Sequence, residues 1–204
     1  MTDPRQAALS QTIPAMRVPM DGAVTDPRRA ALGRISATRI PVDGAVVDVR
    51  PTVPADRDEI CELHLRCSAT TRYHRYHSGL RQPTASMLHH MTDRGKGVYL
   101  AVHEPEGPLV GLCGLAFTEE PCTVELGLLV ADDWQGRGIG RAVCVLLLRS
   151  ARSAGFERVT AHLVAENRRA VAFVSRLRAT ATDRSDPRVI SMVFALNAYD
   201  EELV

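Results

Sequence analysis

Short apolar runs and amphipathic segments alternate from Val47 to Leu196. Runs that alternate or stay apolar between turn residues predict strands, and a period near 3.6 predicts helices. The predicted strands are 47–50, 98–103, 109–117, 122–130, 158–164 and 189–196. The predicted helices are 56–65, 84–91, 136–154 and 167–178. This order predicts an α/β domain, a mixed sheet with helices on its faces.

The first 46 residues contain a duplication. Thr2–Val24 and Thr25–Val46 are identical at 15 of 22 aligned positions, with one gap. Each copy starts with Thr-Asp-Pro, which is typical of a helix start, and ends with Pro-x-Asp-Gly, which favours a turn. Two short copies are too few for a stacked repeat fold.

Three interpretations of the duplicated segment remain open. It is a disordered arm, a pair of linear motifs that bind a protein partner with avidity, or a segment that packs back on its own domain. We predict a flexible arm over 1–46, a domain over 47–197 and an acidic tail over 198–204.

Composition narrows the classes of function. Lys+Arg 25 against Asp+Glu 24 gives a net charge of +1, so we expect neither nucleic acid nor a membrane as a partner. The longest apolar runs are far shorter than the roughly 20 residues that span a bilayer, and the first residues do not resemble a signal peptide. The five cysteines lack CxxC spacing, which predicts reduced thiols in a cytoplasmic protein. The histidines show no established ligand spacing, so we expect no metal.

A glycine-rich segment, Gln135-Gly-Arg-Gly-Ile-Gly-Arg141, joins an apolar strand to a long helix. Backbone N–H groups at a helix start lack partners, and glycine lets an anion approach them closely. The segment therefore predicts a phosphate-binding loop. A P-loop would need Gly-Lys-Ser/Thr, and a dinucleotide fingerprint would need GxGxxG directly after the strand. This segment has neither.

Gln135–Gly140 is similar to the (Gln/Arg)-x-x-Gly-x-(Gly/Ala) pyrophosphate loop of the GNAT superfamily of N-acetyltransferases. The resemblance covers roughly Val47–Leu196 and includes the order of elements. It implies a GNAT fold, with a mixed, mostly antiparallel sheet that splays at its central strands and helices on both faces. It also implies acetyl-CoA as acetyl donor and no metal.

The resemblance implies a set of acetyl-CoA-binding residues: Leu128, Leu129, Val130, Gln135, Gly136, Arg137, Gly138, Ile139, Gly140, Arg141 and Asn167. In the family the loop amides hold the pyrophosphate. Backbone groups of the preceding strand, which leaves its neighbour at a bulge, pair with the pantetheine arm. Arg137, Arg141, Arg168 and Arg169 would add positive charge. The alternatives are a plain core strand for 128–130 and a helix N-cap for Asn167.

Glu125 is the single acid in the apolar strand Val124–Val130. A carboxylate beside an acceptor amine can remove its proton and act as general base. Bacterial protein-lysine acetyltransferases of the GNAT class have a catalytic Glu at this place. We therefore predict Glu125 as general base, with a solvent-facing strand residue as the alternative.

The general acid departs from the family pattern. Many members have Tyr seven residues after the Asn of the last helix, where this chain has Val174. The customary Gly-Phe after that helix is replaced by Leu177-Arg178-Ala179. The identity of the acid stays open.

Ser68–His77 resembles the Leu-Ser-x-x-Ser-x-Tyr-x-Arg-Phe segment of the bacterial Pat-type protein acetyltransferases, although Cys67 and Thr71 depart from it. The resemblance implies that Tyr73, Arg75 and Tyr76 line the acceptor site. The alternative is an amphipathic helix with a polar surface.

The sequence therefore predicts an acetyl-CoA-dependent N-acetyltransferase that uses direct transfer in a ternary complex. The preferred acceptor is a protein lysine side chain. The alternatives are a small-molecule amine acetyltransferase and a non-catalytic acyl-CoA-binding interaction protein. In each case the repeats are a candidate binding segment for a protein partner.

Overall fold

The computed structural model describes residues 26–183 and 185–198. The first repeat copy and residues 199–204 of the predicted tail lie outside this part of the chain. The helices are α1 (Pro27–Leu32), α2 (Arg57–Arg66), α3 (Ala69–Tyr76), α4 (Ala85–Thr92), α5 (Ile139–Ser153) and α6 (Arg168–Arg176). The strands are β1 (Thr38–Val42), β2 (Ala45–Pro51), β3 (Gly97–His103), β4 (Leu109–Phe117), β5 (Thr123–Val130), β6 (Arg158–Val164), β7 (Thr180–Asp183) and β8 (Val189–Ala195).

The strands form one sheet in the order β1-β2-β3-β4-β5-β6-β8-β7. β5 and β6 run parallel, but they pair only between Thr123–Glu125 and Arg158–Thr160. Beyond that point β5 continues against β4, and β6 continues against β8. The sheet therefore splays at its centre, which confirms the predicted α/β GNAT fold.

The splay arises without the bulge that the resemblance implied. β4 and β5 keep one register from Phe117 opposite Val124 to Gly111 opposite Val130. β5 thus remains paired with β4 along its length, while β6 diverges from β5. The gap opens on one side of β5 only.

The core lies on the central strands. Every residue of β4 is buried, which matches a strand covered on both faces. α5 packs against β4 and β5 and buries Val143, Leu147 and Leu148 completely. α2 packs against β4, and α4 against β3. No helix in the described ranges is long and apolar enough to cross a membrane.

The predicted boundary after residue 46 does not hold for the second repeat copy. β1 pairs with β2 from Thr38 opposite Val49 to Val42 opposite Ala45, across that boundary. Leu32 of α1 is completely buried. Of the three interpretations, packing on the domain is therefore the one that residues 26–46 show.

Arginine stacking explains why a polar segment packs so well. Arg28 lies over the Phe156 ring at 6.0 Å, and Arg29 lies over the Phe117 ring at 4.7 Å. A guanidinium over an aromatic face is attracted by the ring and still reaches water at its edges. Hydropathy counts such residues as solvent-exposed, so the pattern hides this contact.

Candidate active site

The gap between β5 and β6 begins at Glu125, whose partner Thr160 is the last residue of β6 that pairs with β5. The amide of Ala131 donates to the carbonyl of Val110 at 2.9 Å. Because antiparallel pairs alternate, Leu129 then also bonds to β4, whereas the backbone groups of Leu128 and Val130 face the gap. Of the three predicted strand residues, Leu129 contributes its buried side chain to the core.

Gln135 ties the strand end to α3. Its Nε2 atom donates to the Val130 carbonyl at 3.1 Å and to Thr71 Oγ1 at 3.1 Å. The Val130 carbonyl, which faces the gap, therefore already accepts a hydrogen bond. Gln135 therefore fixes the start of the glycine-rich loop to the end of β5 and to α3.

Asp132 forms a second tie between the same two elements. Its carboxylate accepts from the Ser68 amide at 2.8 Å, from Ser68 Oγ at 2.7 Å and from Thr71 Oγ1 at 2.9 Å. Burial acts to raise the pKa of Asp132, but these hydrogen bonds outweigh it and the pKa is lowered. α3 and the loop are thus held to each other by a carboxylate that stays ionised.

The glycine-rich loop has the backbone that an anion site needs. Gly136 and Gly138 have φ of 84° and 87°, a left-handed conformation that strains other residues. Gly138 is the N-cap of α5, and no side chain of the described residues caps the helix. Apart from the adjoining backbone, no described atom lies within 4 Å of the place where a Cβ at Gly138 or Gly140 would stand. The first bond inside α5 is donated by the Ala142 amide to the Gly138 carbonyl, so the N–H groups of Ile139, Gly140 and Arg141 have no partner within the helix and suit a pyrophosphate.

Positive charge surrounds this loop. Arg137, Arg141, Arg168 and Arg169 are all exposed. An Arg169 guanidinium nitrogen lies 3.1 Å from the Cβ position of Gly136, so α6 reaches the loop from across the gap. A cofactor with several phosphate charges fits this arrangement.

Asn167 caps α6, because its side-chain oxygen accepts from the Ala170 amide at 3.1 Å. Val174 is 2% exposed and belongs to the core. The position where many family members have Tyr therefore offers no proton donor.

The surroundings of Glu125 contain groups that sequence reasoning missed. Glu125 is half-buried, and it interacts electrostatically with His77 and Tyr99. Burial lowers the pKa of His77, and His162 and Arg75 lower it further, while Glu125 opposes them. Burial raises the pKa of Tyr99 to about 12. Tyr99 carries no local signal, since it stands in an apolar strand far from Glu125 in sequence.

The three predicted acceptor residues lie in different surroundings. Tyr73 is 40% exposed. Arg75 crosses to β5 and lies against Gly127, with its guanidinium carbon 5.1 Å from the Tyr76 ring centre. Tyr76 turns to α2, where its hydroxyl lies 2.5 Å from His64 Nε2. Arg75 is the one that reaches the same strand as Glu125.

The tautomer of His64 follows from its contacts. Its Nδ1 atom lies 2.6 Å from the Ile60 carbonyl, which can only accept, so Nδ1 carries the proton. Burial lowers the pKa of His64, so the ring is neutral and Nε2 accepts from the Tyr76 hydroxyl. The Tyr76 hydroxyl therefore donates its hydrogen bond inside the fold, to His64.

The described residues hold no group of three or more His, Cys, Asp or Glu side chains placed for a metal ion.

Comparison with known proteins gives the family. Residues 58–178 match the model of the acetyltransferase (GNAT) family. The chain is 29% identical over 123 residues to acetyltransferase Pat of Mycolicibacterium smegmatis (strain ATCC 700084 / mc(2)155), an alignment that covers 58% of this chain and 37% of Pat. The chain thus spans little more than a third of that relative.

Solved structures share the fold. The GNAT domain of S. lividans PAT superposes with a TM-score of 0.72 at 20% identity, over 78% of this chain and 96% of that domain. Mycobacterium smegmatis RimJ in complex with CoA-disulfide gives 0.60 at 16% identity, over 78% and 86%. Spermidine N-acetyltransferase from Vibrio cholerae in complex with CoA and spermine gives 0.61 at 16% identity, over 75% and 97%. With the matched family model, the splayed sheet and the glycine-rich helix start, the chain belongs to the acetyltransferase (GNAT) family.

Proposed function

We propose that this acetyltransferase modifies a lysine side chain of a protein by direct transfer, with Glu125 as general base. The position of Glu125 carries the proposal. It is the last residue of β5 that pairs with β6, so its carboxylate stands where the gap opens.

Different groups along the gap would bind different parts of acetyl-CoA. The N–H groups at the start of α5 and the nearby arginines would hold the pyrophosphate. Backbone groups of Leu128 would bind a chain that enters between β5 and β6. Bound acetyl-CoA supplies the acetyl thioester at that place. Asn167 would affect cofactor binding indirectly, through the start of α6, which it caps.

Glu125 prepares the acceptor. An amine arrives as an ammonium ion and must lose a proton before it can attack. The half-buried carboxylate of Glu125 can take that proton directly or through one water. Thiolate leaving groups depart with little help, which is compatible with the absence of a tyrosine at Val174.

Two observations favour a protein lysine as acceptor. The chain is similar to acetyltransferase Pat, and Ser68–His77 resembles the acceptor wall of the Pat-type enzymes. The V. cholerae neighbour is a spermidine N-acetyltransferase, so a small-molecule amine is the second candidate. A polyamine carries several positive charges, whereas the Arg75 guanidinium already lies against Gly127, on the same strand as Glu125. This charge distribution disfavours a polycation.

The test is acetylation of host proteins. The purified protein, Glu125→Gln and the control Glu62→Gln, which changes an exposed acid on α2, are incubated with acetyl-CoA and host lysate. Mass spectrometry then maps new acetyl-lysines. We expect sites with the wild type and with Glu62→Gln and their loss with Glu125→Gln. Lys96 is the one lysine of this chain, so self-acetylation appears in a single peptide.

Two results would contradict parts of the proposal. Acetyl-CoA binding by calorimetry without any new acetyl-lysine would exclude a protein lysine as acceptor. Full acetylation by Glu125→Gln would exclude Glu125 as the base.

A further inference from the structure

The turn between β1 and β2 touches the glycine-rich loop. The backbone amide of Asp43 donates a hydrogen bond of 2.9 Å to the carbonyl of Arg137. Asp43 and Gly44 are the Asp-Gly of the second repeat copy, and Gly44 has φ of 74°. The duplicated segment therefore reaches the loop assigned to acetyl-CoA.

This bond acts on the most adaptable part of the loop. Arg137 stands between Gly136 and Gly138, and glycine backbone rotates more freely than that of any other residue. In a planar trans peptide the carbonyl of one residue and the N–H of the next point in opposite directions. Holding the Arg137 carbonyl towards the hairpin therefore directs the Gly138 N–H away from it.

The Arg137 side chain is held as well. Its guanidinium lies 4.6 Å from the centre of the Trp134 ring, and Trp134 is buried. The carbonyl is thus held by the hairpin and the side chain by the indole. An ordered loop binds an anion more tightly than a loop that must order itself on binding.

We propose that the β1–β2 hairpin is a positioning element of the acetyl-CoA site, which sets the direction of the Gly138 N–H through the bond from Asp43 to Arg137. The inference rests on the proposed role of the loop in holding the pyrophosphate. Asp43 acts through Arg137 and has no contact with the acetyl group in this scheme. Its effect is confined to donors that carry the pyrophosphate.

The test uses a matched pair of variants. Asp43→Pro removes the N–H, whereas Asp43→Ala keeps it and removes only the side chain. Proline suits the first central position of a turn that has a glycine with positive φ next. Val42 before it is in a strand, which is the backbone that a following proline requires.

Two acetyl donors distinguish an effect on the pyrophosphate loop from a general loss of folding or activity. For acetyl-CoA we expect KM and the dissociation constant to rise about three- to tenfold in Asp43→Pro and to stay within about twofold in Asp43→Ala, the range for one hydrogen bond. For S-acetylpantetheine, which lacks the pyrophosphate, kcat/KM stays unchanged in both variants. Equal acetyl-CoA affinity in the two variants, or an equal loss with both donors, overturns the inference.

A measurement on the wild type stands independently of whether Asp43→Pro folds. Amide hydrogen exchange of the peptide that covers β1 and β2 should slow when CoA binds. Unchanged exchange in that peptide, with CoA bound, overturns the inference. Failure of the wild type to bind acetyl-CoA at all would instead refute the proposed role of the loop.

Discussion

The Arg75 guanidinium on α3 occupies the space that a side chain at position 127 of β5 would need. Gly127 is therefore a glycine because of a residue that lies 52 positions earlier in the chain. Glu125 and Gly127 share a face of β5, since they are two residues apart in a strand. The contact brings α3 onto the strand that carries the proposed base.

The methyl group that Gly127→Ala adds is expected to clash with the Arg75 guanidinium. Shortening Arg75 is expected to remove this clash. Because the end of the Arg75 side chain can move aside, we expect Gly127→Ala to cost about 0.5–1.5 kcal/mol in the free energy of unfolding, the range for a displaced rotamer. In an Arg75→Ala background the same change should cost less than half as much. Urea unfolding of the four proteins of this double-mutant cycle measures the coupling. Additive effects would show that the two residues do not compete for space.

Glu125→Gln is expected to lower kcat by about 10²–10⁴-fold, the usual contribution of a general base. The dissociation constant for acetyl-CoA should stay unchanged, because the loop amides and arginines are intact. Steady-state kinetics with an unmodified lysine peptide as acceptor give kcat, and calorimetry with acetyl-CoA gives the dissociation constant. A fall of less than about fivefold would leave Glu125 as a strand residue without a catalytic role.

Leu32→Ala tests whether the second repeat copy is part of the domain. Leu32 is completely buried, so we expect a loss of about 2–5 kcal/mol in the free energy of unfolding. Leu65→Ala is the matched control, because Leu65 is 58% exposed and should change stability by less than about 1 kcal/mol. Denaturant unfolding compares them. Equal small losses would restore the flexible-arm prediction for residues 26–46.

Stability is expected to fall as the pH drops below about 6.5. Burial lowers the pKa of both His64 and His90, so the unfolded chain binds more protons than the folded one in this range. The stabilisation is present above the unfolded pKa and is lost as the pH falls. The midpoint of thermal unfolding should therefore be lower at pH 5.5 than at pH 7.5.

His90→Phe should flatten this pH dependence. The Nε2 atom of His90 has no hydrogen-bond partner among the described residues, and its ring meets Tyr99 edge-on at 5.9 Å, a contact that Phe can keep. His89→Gln is the control, because the His89 side chain is 61% exposed. An unchanged slope in His90→Phe would exclude His90 as a source of the pH dependence.

Periodicity predicted the central elements closely. β4 and β6 have the predicted bounds, because continuous or alternating apolar runs bury one or both faces of a strand. α5 begins at Ile139 and not at the predicted 136, since Gly136 and Gly138 adopt left-handed backbone. The start of that helix depended on loop conformation, which hydropathy does not report.

The edges of the sheet escaped prediction. All four residues of β7 are exposed, so its pairing with β8 leaves no hydrophobic pattern. α1 and β1 belong to a segment with few apolar residues, whose packing depends on Leu32 and on stacked arginines. Elements that bury little apolar surface are visible only through their partners.

The sequence by itself determined the local features: the strands and helices of the core, the glycine-rich helix start and a lone carboxylate in an apolar strand. These depend on residues a few positions apart, where spacing and side-chain chemistry suffice. The tertiary structure alone decided that Glu125 stands where the sheet divides and that Arg75 covers Gly127. It also decided that the Tyr76 hydroxyl donates a hydrogen bond to His64 and that the Asp43 amide donates one to the Arg137 carbonyl. Each of these contacts joins elements that are distant in the chain, and their meeting depends on how the whole core packs.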